Sequence, residues 1–124
     1  MTDERVMREA TRLFNDRLYF ECHDFLEEAW NDARGVDRSF LKALIEISVG
    51  FYHVAAGNHL GAVHLLSRGI ERLEPFAPES RGLDVAALVA RSARCLDKSE
   101  QARVGKSVTW DHEDVPTMNL RELE

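Results

Sequence analysis

The amino-acid sequence predicts an all-α protein, a single compact bundle of about five helices with a central apolar helix. Apolar residues recur at intervals of three and four through most of the 124-residue chain. No pair of alternating segments predicts a β-sheet. Because 44% of the residues are hydrophobic, the chain can form one core. We expect residues 1–124 to be one domain, with a helical core over 1–98 and a less regular segment over 99–124.

The first two helices follow from apolar spacing and from the residues that interrupt it. Thr2 is a suitable cap for a first helix that buries apolar residues between positions 6 and 14. Residues 15–17, Asn-Asp-Arg, then break the pattern. A second helix is expected from about Phe20 to Arg34, ended by Gly35 in a left-handed conformation.

The third helix, expected from about Phe40 to Ala56, is apolar nearly all round. Such a helix belongs at the centre of a bundle, and Asp37 or Ser39 would cap it. One narrow stripe of this helix differs, and its members are Lys42, Glu46, Gly50, His53 and Gly57. The two glycines would allow another backbone to come close.

Two further helices are expected after a turn at Gly57-Asn58. The fourth runs from about Leu60 to Leu73 and is ended by the prolines that follow. Asp84 caps the fifth, and the rest of the chain is expected to pack on the bundle through Trp110 and Leu120. The predicted buried face of the fifth helix consists of Val85, Val89, Ala93 and Leu96.

Composition limits the classes of function. The formal net charge of −6 argues against a nucleic-acid-binding surface. No stretch approaches the ~18 apolar residues of a membrane span, and the N-terminus lacks the apolar run of a signal peptide. Cys22 and Cys95 form no CxxC pair, which favours free thiols in a reducing compartment. We therefore expect a cytoplasmic protein that binds neither nucleic acid nor membranes.

The most informative pattern is the His-x-x-x-Glu-x-x-Trp spacing of His23, Glu27 and Trp30. At about 100° per residue, Glu27 and Trp30 lie about 40° and 20° from His23 on either side of it. The three residues therefore share a helix face, which also carries apolar residues and which we expect to be buried. A buried imidazole and carboxylate need a partner, because leaving either unpaired is costly.

One interpretation of this face is a site for a divalent metal ion. His23 and Glu27 are one turn apart, as ligands on metal-binding helices often are, and Glu46 or His53 would complete the set. Mixed nitrogen and oxygen ligands suit zinc, iron or manganese without choosing among them. If the protein is an enzyme, metal-assisted hydrolysis with Glu27 or Glu46 as base is the expected reaction class. The pocket around the site is expected to include Trp30, Lys42 and Tyr52.

Three other interpretations need no metal. In the first, His23 pairs with Glu27 or Glu46, or a neighbouring cation neutralises Glu27, and the network only fixes the helix register. In the second, the site binds a ligand or performs acid/base chemistry without a metal, although the sequence names no small-molecule ligand. In the third, the protein is a non-catalytic interaction module. A groove around Trp30 and Phe25 would then bind a partner helix or a second copy, giving a homodimer.

Several sequence blocks between about Leu13 and Phe76 follow one another in the order of a known family. These blocks are Phe14-Asn15, Tyr19-Phe20-Glu21-x-His23-Asp24-x-Leu26-Glu27-Glu28-x-Trp30, Phe40-Leu41-Lys42-x-Leu44-Ile45, Gly50-Phe51-Tyr52-His53, and Gly57-Asn58-x-x-Gly61-Ala62 followed by Leu65-Leu66-x-Arg68-Gly69. In them the chain resembles the bacterial and archaeal proteins grouped as domain-of-unknown-function family 309.

The resemblance carries two expectations. It implies a compact all-α fold. It also implies that the shared His-x-x-x-Glu-x-x-(Trp/Tyr) motif, here His23, Glu27 and Trp30, takes part in metal binding. Members of the family often carry glutamine at the position of Glu46, so this carboxylate would not be a ligand common to the family.

Overall fold

The computed structural model of the chain describes residues 4–121 and consists mainly of five α-helices. Their bounds are α1 Glu4–Asn15, α2 Tyr19–Asp32, α3 Gly35–Ala55, α4 His59–Leu73 and α5 Val85–Arg103. Short 3₁₀ turns lie at Glu74–Phe76 and His112–Asp114, and two-residue strands β1 Glu79–Ser80 and β2 Leu83–Asp84 pair antiparallel. The all-α prediction is confirmed, whereas the expectation of no sheet is wrong because this small hairpin joins α4 to α5. Thr2, the predicted first cap, lies outside the described residues.

The predicted central apolar helix is α3. It packs between α2 and α4, while α1 lies against α2 and α5 against α4. The rings of Phe14, Tyr19 and Phe51 meet in the core, with centroids 5.3 Å apart for the first two and 5.8 Å apart for the two phenylalanines. Across the described part of the chain, no helix is both long and apolar enough to cross a membrane.

Glycines allow α3 and α4 to pack closely. A Cβ atom added to Gly50 would lie 2.6 Å from Cδ2 of Leu66. One added to Gly69 would lie 2.9 Å from Cδ1 of Ile47 and 3.0 Å from its backbone nitrogen. The close approach predicted at Gly50 is therefore present, and the helix that approaches is α4. The approach predicted at Gly57 is wrong, because this residue lies in the turn after α3 with a φ of +74°, and an added Cβ would have no described atom within 4 Å.

The ends of α2 and α3 differ from the prediction. Gly35 has the expected left-handed φ of +58°, but it begins α3 instead of ending α2. The predicted caps Asp37 and Ser39 consequently lie inside α3, which starts before Phe40. Asp37 accepts a hydrogen bond from Nε of Arg81 at 2.9 Å, so its carboxylate binds the β-hairpin rather than capping the helix.

The starts of α4 and α5 agree with the sequence. The side chain of Asn58 accepts a hydrogen bond from the backbone of Gly61, and that of Asp84 accepts one from Ala87, both at 3.0 Å. However, α5 continues to Arg103, and the predicted buried face is displaced. Its buried residues are Val85, Leu88, Ser92, Cys95 and Ser99, so of the predicted four only Val85 is fully buried.

The segment after α5 lies along α1 and the β-hairpin. The side chain of Asn15 forms hydrogen bonds of 2.9 and 2.7 Å with the backbone of Met118. Leu120 forms an isolated β-bridge with Leu83. Trp110 and Leu120 pack against the core, so the contacts predicted for them are confirmed.

Both cysteines are buried and free, as predicted. The thiol of Cys22 donates to the carbonyl of Ala10 at 3.4 Å, and the thiol of Cys95 donates to the carbonyl of Asp114 at 3.0 Å. Burial raises the pKa of each thiol to about 11.

The packing of α3 on α4 predicts a cost for any side chain at Gly69. We expect Gly69→Ala to lower the free energy of unfolding by about 1–2 kcal/mol, because overpacking outweighs the ~1 kcal/mol by which alanine favours a helix over glycine. Urea denaturation measures the change. Ser67→Ala, at an exposed position of the same helix, should stay within about 0.5 kcal/mol of the parent protein. Equal or greater stability of the Gly69 variant would contradict the close contact.

The buried thiols predict a pH dependence of stability. Above the ordinary thiol pKa near 9, the unfolded chain releases protons that the folded chain keeps until about pH 11. The stability that Cys22 and Cys95 provide should therefore be complete below pH 9 and decline as the pH rises towards 11.

The double variant Cys22→Ala/Cys95→Ala tests this dependence. The difference in unfolding free energy between parent and variant should shrink from pH 8 to pH 10.5, as measured by urea denaturation at about half-unit pH steps. A difference that is constant over this range would show that the thiols titrate normally in the folded protein.

Candidate functional site

His23 and Glu27 form a close pair on the solvent side of α2. Nε2 of His23 lies 3.0 Å from Oε2 of Glu27, and the two side chains are 24% and 54% exposed. The prediction that both side chains are buried is therefore wrong. The buried residues Cys22 and Leu26 lie about 100° and 60° to one side of His23, whereas Glu27 lies about 40° to the other. The pair thus sits at the edge of the apolar face.

The second nitrogen of the imidazole faces another carboxylate. Nδ1 of His23 lies 3.4 Å from Oδ1 of Asp24. This nitrogen is buried and has no hydrogen-bond partner within residues 4–121. The ring is therefore placed between the carboxylates of Asp24 and Glu27.

Aromatic rings border His23 at the N-terminal end of α2. The ring of Phe20 lies 5.8 Å from that of His23 and 5.9 Å from that of Tyr52 on α3. Phe20 and Tyr52 remain 52% and 44% exposed. Tyr52 is therefore linked to His23 through Phe20 and lies apart from Trp30 and Lys42, the other residues expected in the pocket. The rings of Phe20 and Tyr52 form an exposed patch across α2 and α3.

Cations cover Trp30 at the other end of α2. The guanidinium carbon of Arg38 lies 3.6 Å from the centre of the indole, and Nζ of Lys42 lies 5.2 Å from it. Arg38 also donates to the carbonyl oxygen of Trp30 at 3.0 Å. The expected grouping of Lys42 with Trp30 is present. One interpretation of the sequence had expected a neighbouring cation to neutralise the carboxylate of Glu27. Arg38 and Lys42 contact the ring of Trp30 instead.

Glu46 faces α4 and not α2. Its side chain is 5% exposed, and Oε1 accepts a hydrogen bond from Nε of Arg72 at 2.8 Å. Oε2 lies 3.6 Å from Nε of Arg68. Because arginines hold both oxygens, this carboxylate is poorly placed to serve as a metal ligand or as a general base.

His53 also lies against α4. Its Nδ1 is 3.3 Å from the side-chain nitrogen of Asn58, and its ring occupies the space beside Gly61. The structure therefore brings His23 together with Glu27 and does not bring Glu46 or His53 to them. Among the residues that the structure describes, no group of three or more His, Cys, Asp or Glu side chains is arranged to hold a metal ion.

Sequence reasoning missed the cations that organise both flanks of α3. Arg68 and Arg72 are one turn apart on a single face of α4, and this spacing was visible in the sequence. It indicated that the two arginines are neighbours on one face of the helix but not that Glu46 lies against them. The stacking of Arg38 on Trp30 had no local signal, because the two residues belong to different helices.

Comparison with known proteins identifies the sequence family. Residues 7–65 match the family described as "Domain of unknown function (DUF309)". The chain is also 33% identical over 95 residues to the uncharacterized protein YpuF of Bacillus subtilis (strain 168), a match that covers 74% of this chain. It covers 55% of YpuF, so the chain spans about half the length of this relative. Residues 7–65 of the chain therefore belong to the DUF309 family.

Proposed function

We propose that the protein binds a divalent metal ion between His23 and Glu27, on the open side of α2. The observation that carries this proposal is the 3.0 Å separation of Nε2 and Oε2. Nitrogen and oxygen ligands about 2.1 Å from one ion and 90–109° apart are separated by about 3.0–3.4 Å. An ion therefore fits between the two atoms with only a small movement of the side chains.

The surroundings of His23 support the same proposal. A metal-binding imidazole usually gives its other N–H to a carboxylate, which fixes the ring. Asp24 lies on that side of His23, with 3.4 Å between Oδ1 and Nδ1, so a small rotation of either side chain would form this hydrogen bond, which is not made in the structure. Because Glu27 is 54% exposed, the remaining coordination positions are open to water, to a substrate or to a group from another protein.

Zinc, iron and manganese all accept this ligand chemistry, so the proposal does not choose among them. Metal-assisted hydrolysis would require a base other than Glu46, whose oxygens bind Arg72 and Arg68. The proposal is therefore limited to metal binding. Catalysis would depend on a further group that occupies one of the open coordination positions of the ion.

Metal content and titration test the proposal. Untagged protein purified without chelators should carry metal or take up about one zinc or manganese ion per chain, measured by elemental analysis and calorimetry. His23→Ala and Glu27→Gln should each weaken binding by about tenfold or more, since each removes one of two protein ligands. His64→Ala removes an exposed histidine of α4 and is the matched control. Equal uptake by the His23 and His64 variants would refute the site.

A second candidate is a non-catalytic interaction module that forms a homodimer. The exposed rings of Phe20 and Tyr52, with centroids 5.9 Å apart, favour it. Such a patch would replace the expected groove around Trp30 and Phe25, because cations cover Trp30 and Phe25 packs partly against the core. This candidate requires no ion at His23.

Sedimentation of the parent protein and of Phe20→Ser tests the dimer. We expect a concentration-dependent dimer in the parent protein and a shift of its dissociation constant by about tenfold or more in the variant, because a central aromatic contact is lost. Val36→Ser, which removes an apolar side chain 64% exposed at the start of α3, is the control. A parent protein that is monomeric at every concentration rules out the candidate.

A further inference from the structure

We propose that Arg68 and Arg72 of α4, held in place by Glu46 of α3, form a binding site for the phosphate group of a small molecule. This site lies on the flank of α3 opposite His23, and it is independent of the metal proposal.

Glu46 is the anchor of the site. Its side chain is 5% exposed, and it contacts Nε of Arg72 at 2.8 Å and Nε of Arg68 at 3.6 Å. Because the carboxylate contacts Nε of each guanidinium, and only Nη1 of Arg68 has a further neighbour (Nε2 of His64) among the described residues, the other terminal nitrogens remain for another acceptor. The arginine side chains are 57% exposed for Arg68 and 38% for Arg72, so solvent reaches these groups.

The charges at this cluster do not balance. Two guanidiniums share one carboxylate, which leaves one positive charge in a chain whose formal net charge is −6. Nε2 of His64 lies 3.4 Å from Nη1 of Arg68 and extends the polar strip by one turn. The exposed Glu71 lies about 60° from Arg68 and 100° from Arg72 around the helix, so it borders the strip instead of interrupting it.

Another arginine of the protein is much less accessible. Arg81 forms an ion pair with Asp37, and their side chains are 23% and 18% exposed, so the protein itself covers most of both groups. The arginines at Glu46 differ, because their side chains are 57% and 38% exposed.

The chemistry of these donors favours phosphate. A guanidinium is planar and offers parallel N–H groups that match two oxygens of a phosphate or carboxylate. Two adjacent guanidiniums match the several oxygens and the double charge of a phosphate better than those of a carboxylate. Because Glu46 already restricts both side chains, binding loses less conformational entropy than at free surface arginines.

Titration with inorganic phosphate and pyrophosphate tests this site. Calorimetry at low ionic strength and pH 7.5 should give saturable binding to the wild-type protein, with sodium acetate bound more weakly. Arg68→Gln removes an exposed side chain and should weaken binding by about tenfold or more, since a charge-assisted contact is lost. Arg72→Lys keeps the charge but loses the planar fork, and it should also weaken binding.

The controls separate this site from general charge effects and from the metal site. Arg5→Gln, at an exposed position of α1, changes the net charge equally and should leave phosphate affinity within about twofold. His23→Ala should bind phosphate normally, whatever its metal content. Thermal unfolding checks that each variant is folded. The proposal would be overturned if the Arg5 and Arg68 variants lost phosphate affinity equally, or if the wild-type protein bound no phosphate at about 10 mM.

Discussion

The close packing of α4 on α3 determines where the polar groups of this protein lie. A side chain at Gly50 or Gly69 would meet atoms of the opposite helix within 3 Å, so glycines are needed at these crossing points. Glu46 lies one turn before Gly50 on the same face of α3, so it also faces α4 and is buried there. A carboxylate with 5% exposure requires cations, and Arg72 and Arg68 supply them from the neighbouring helix. The glycine contacts and the ion pairs are therefore parts of one helix interface.

This interface separates two groups of polar residues that the sequence had placed together. Glu46 and His53 lie on the α4 flank of α3, while His23 and Glu27 lie on α2. The two groups also differ in exposure. The carboxylate of Glu46 is enclosed and bound to arginines, whereas that of Glu27 is 54% exposed and has one imidazole beside it. A closed ion pair stabilises a contact between helices, but an open imidazole–carboxylate pair leaves positions for a ligand.

The sequence predicted the features that depend on local periodicity. The helices, the turn at Gly57-Asn58 and the cap at Asp84 were predicted because spacing, turn formation and capping act within a few residues. That the Asn58 side chain also caps α4 was not predicted. The buried face of α5 was displaced because Ser92 and Ser99 are buried, and a hydrophobic pattern treats serine as a surface residue. The strands at 79–80 and 83–84 are too short to alternate, so only their turn carried a signal.

The candidate site was predicted in part, for a related reason. A helical wheel groups the residues that share one face of a helix. It correctly grouped His23 with Glu27 on α2, and Glu46 with Gly50 on α3. It does not show which neighbour covers each face. The wheel also misjudged the burial of His23, because the centre of the apolar face lies about 60–100° away, at Leu26 and Cys22. Both errors arise because a helical wheel treats each helix separately and therefore does not show how the helices pack together.

The division of charge between α2 and α4 connects the two proposed sites. α2 contains Glu21, Asp24, Glu27, Glu28 and Asp32 but no lysine or arginine, so the surroundings of His23 attract cations. The exposed strip of α4 carries His64, Arg68 and Arg72, and it attracts anions. α3 lies between these helices and keeps the unlike charges from neutralising each other directly. Because solution ions screen charges beyond roughly 10 Å, each flank can keep its own potential. α3 thus separates the acidic side chains of α2 from the basic strip of α4.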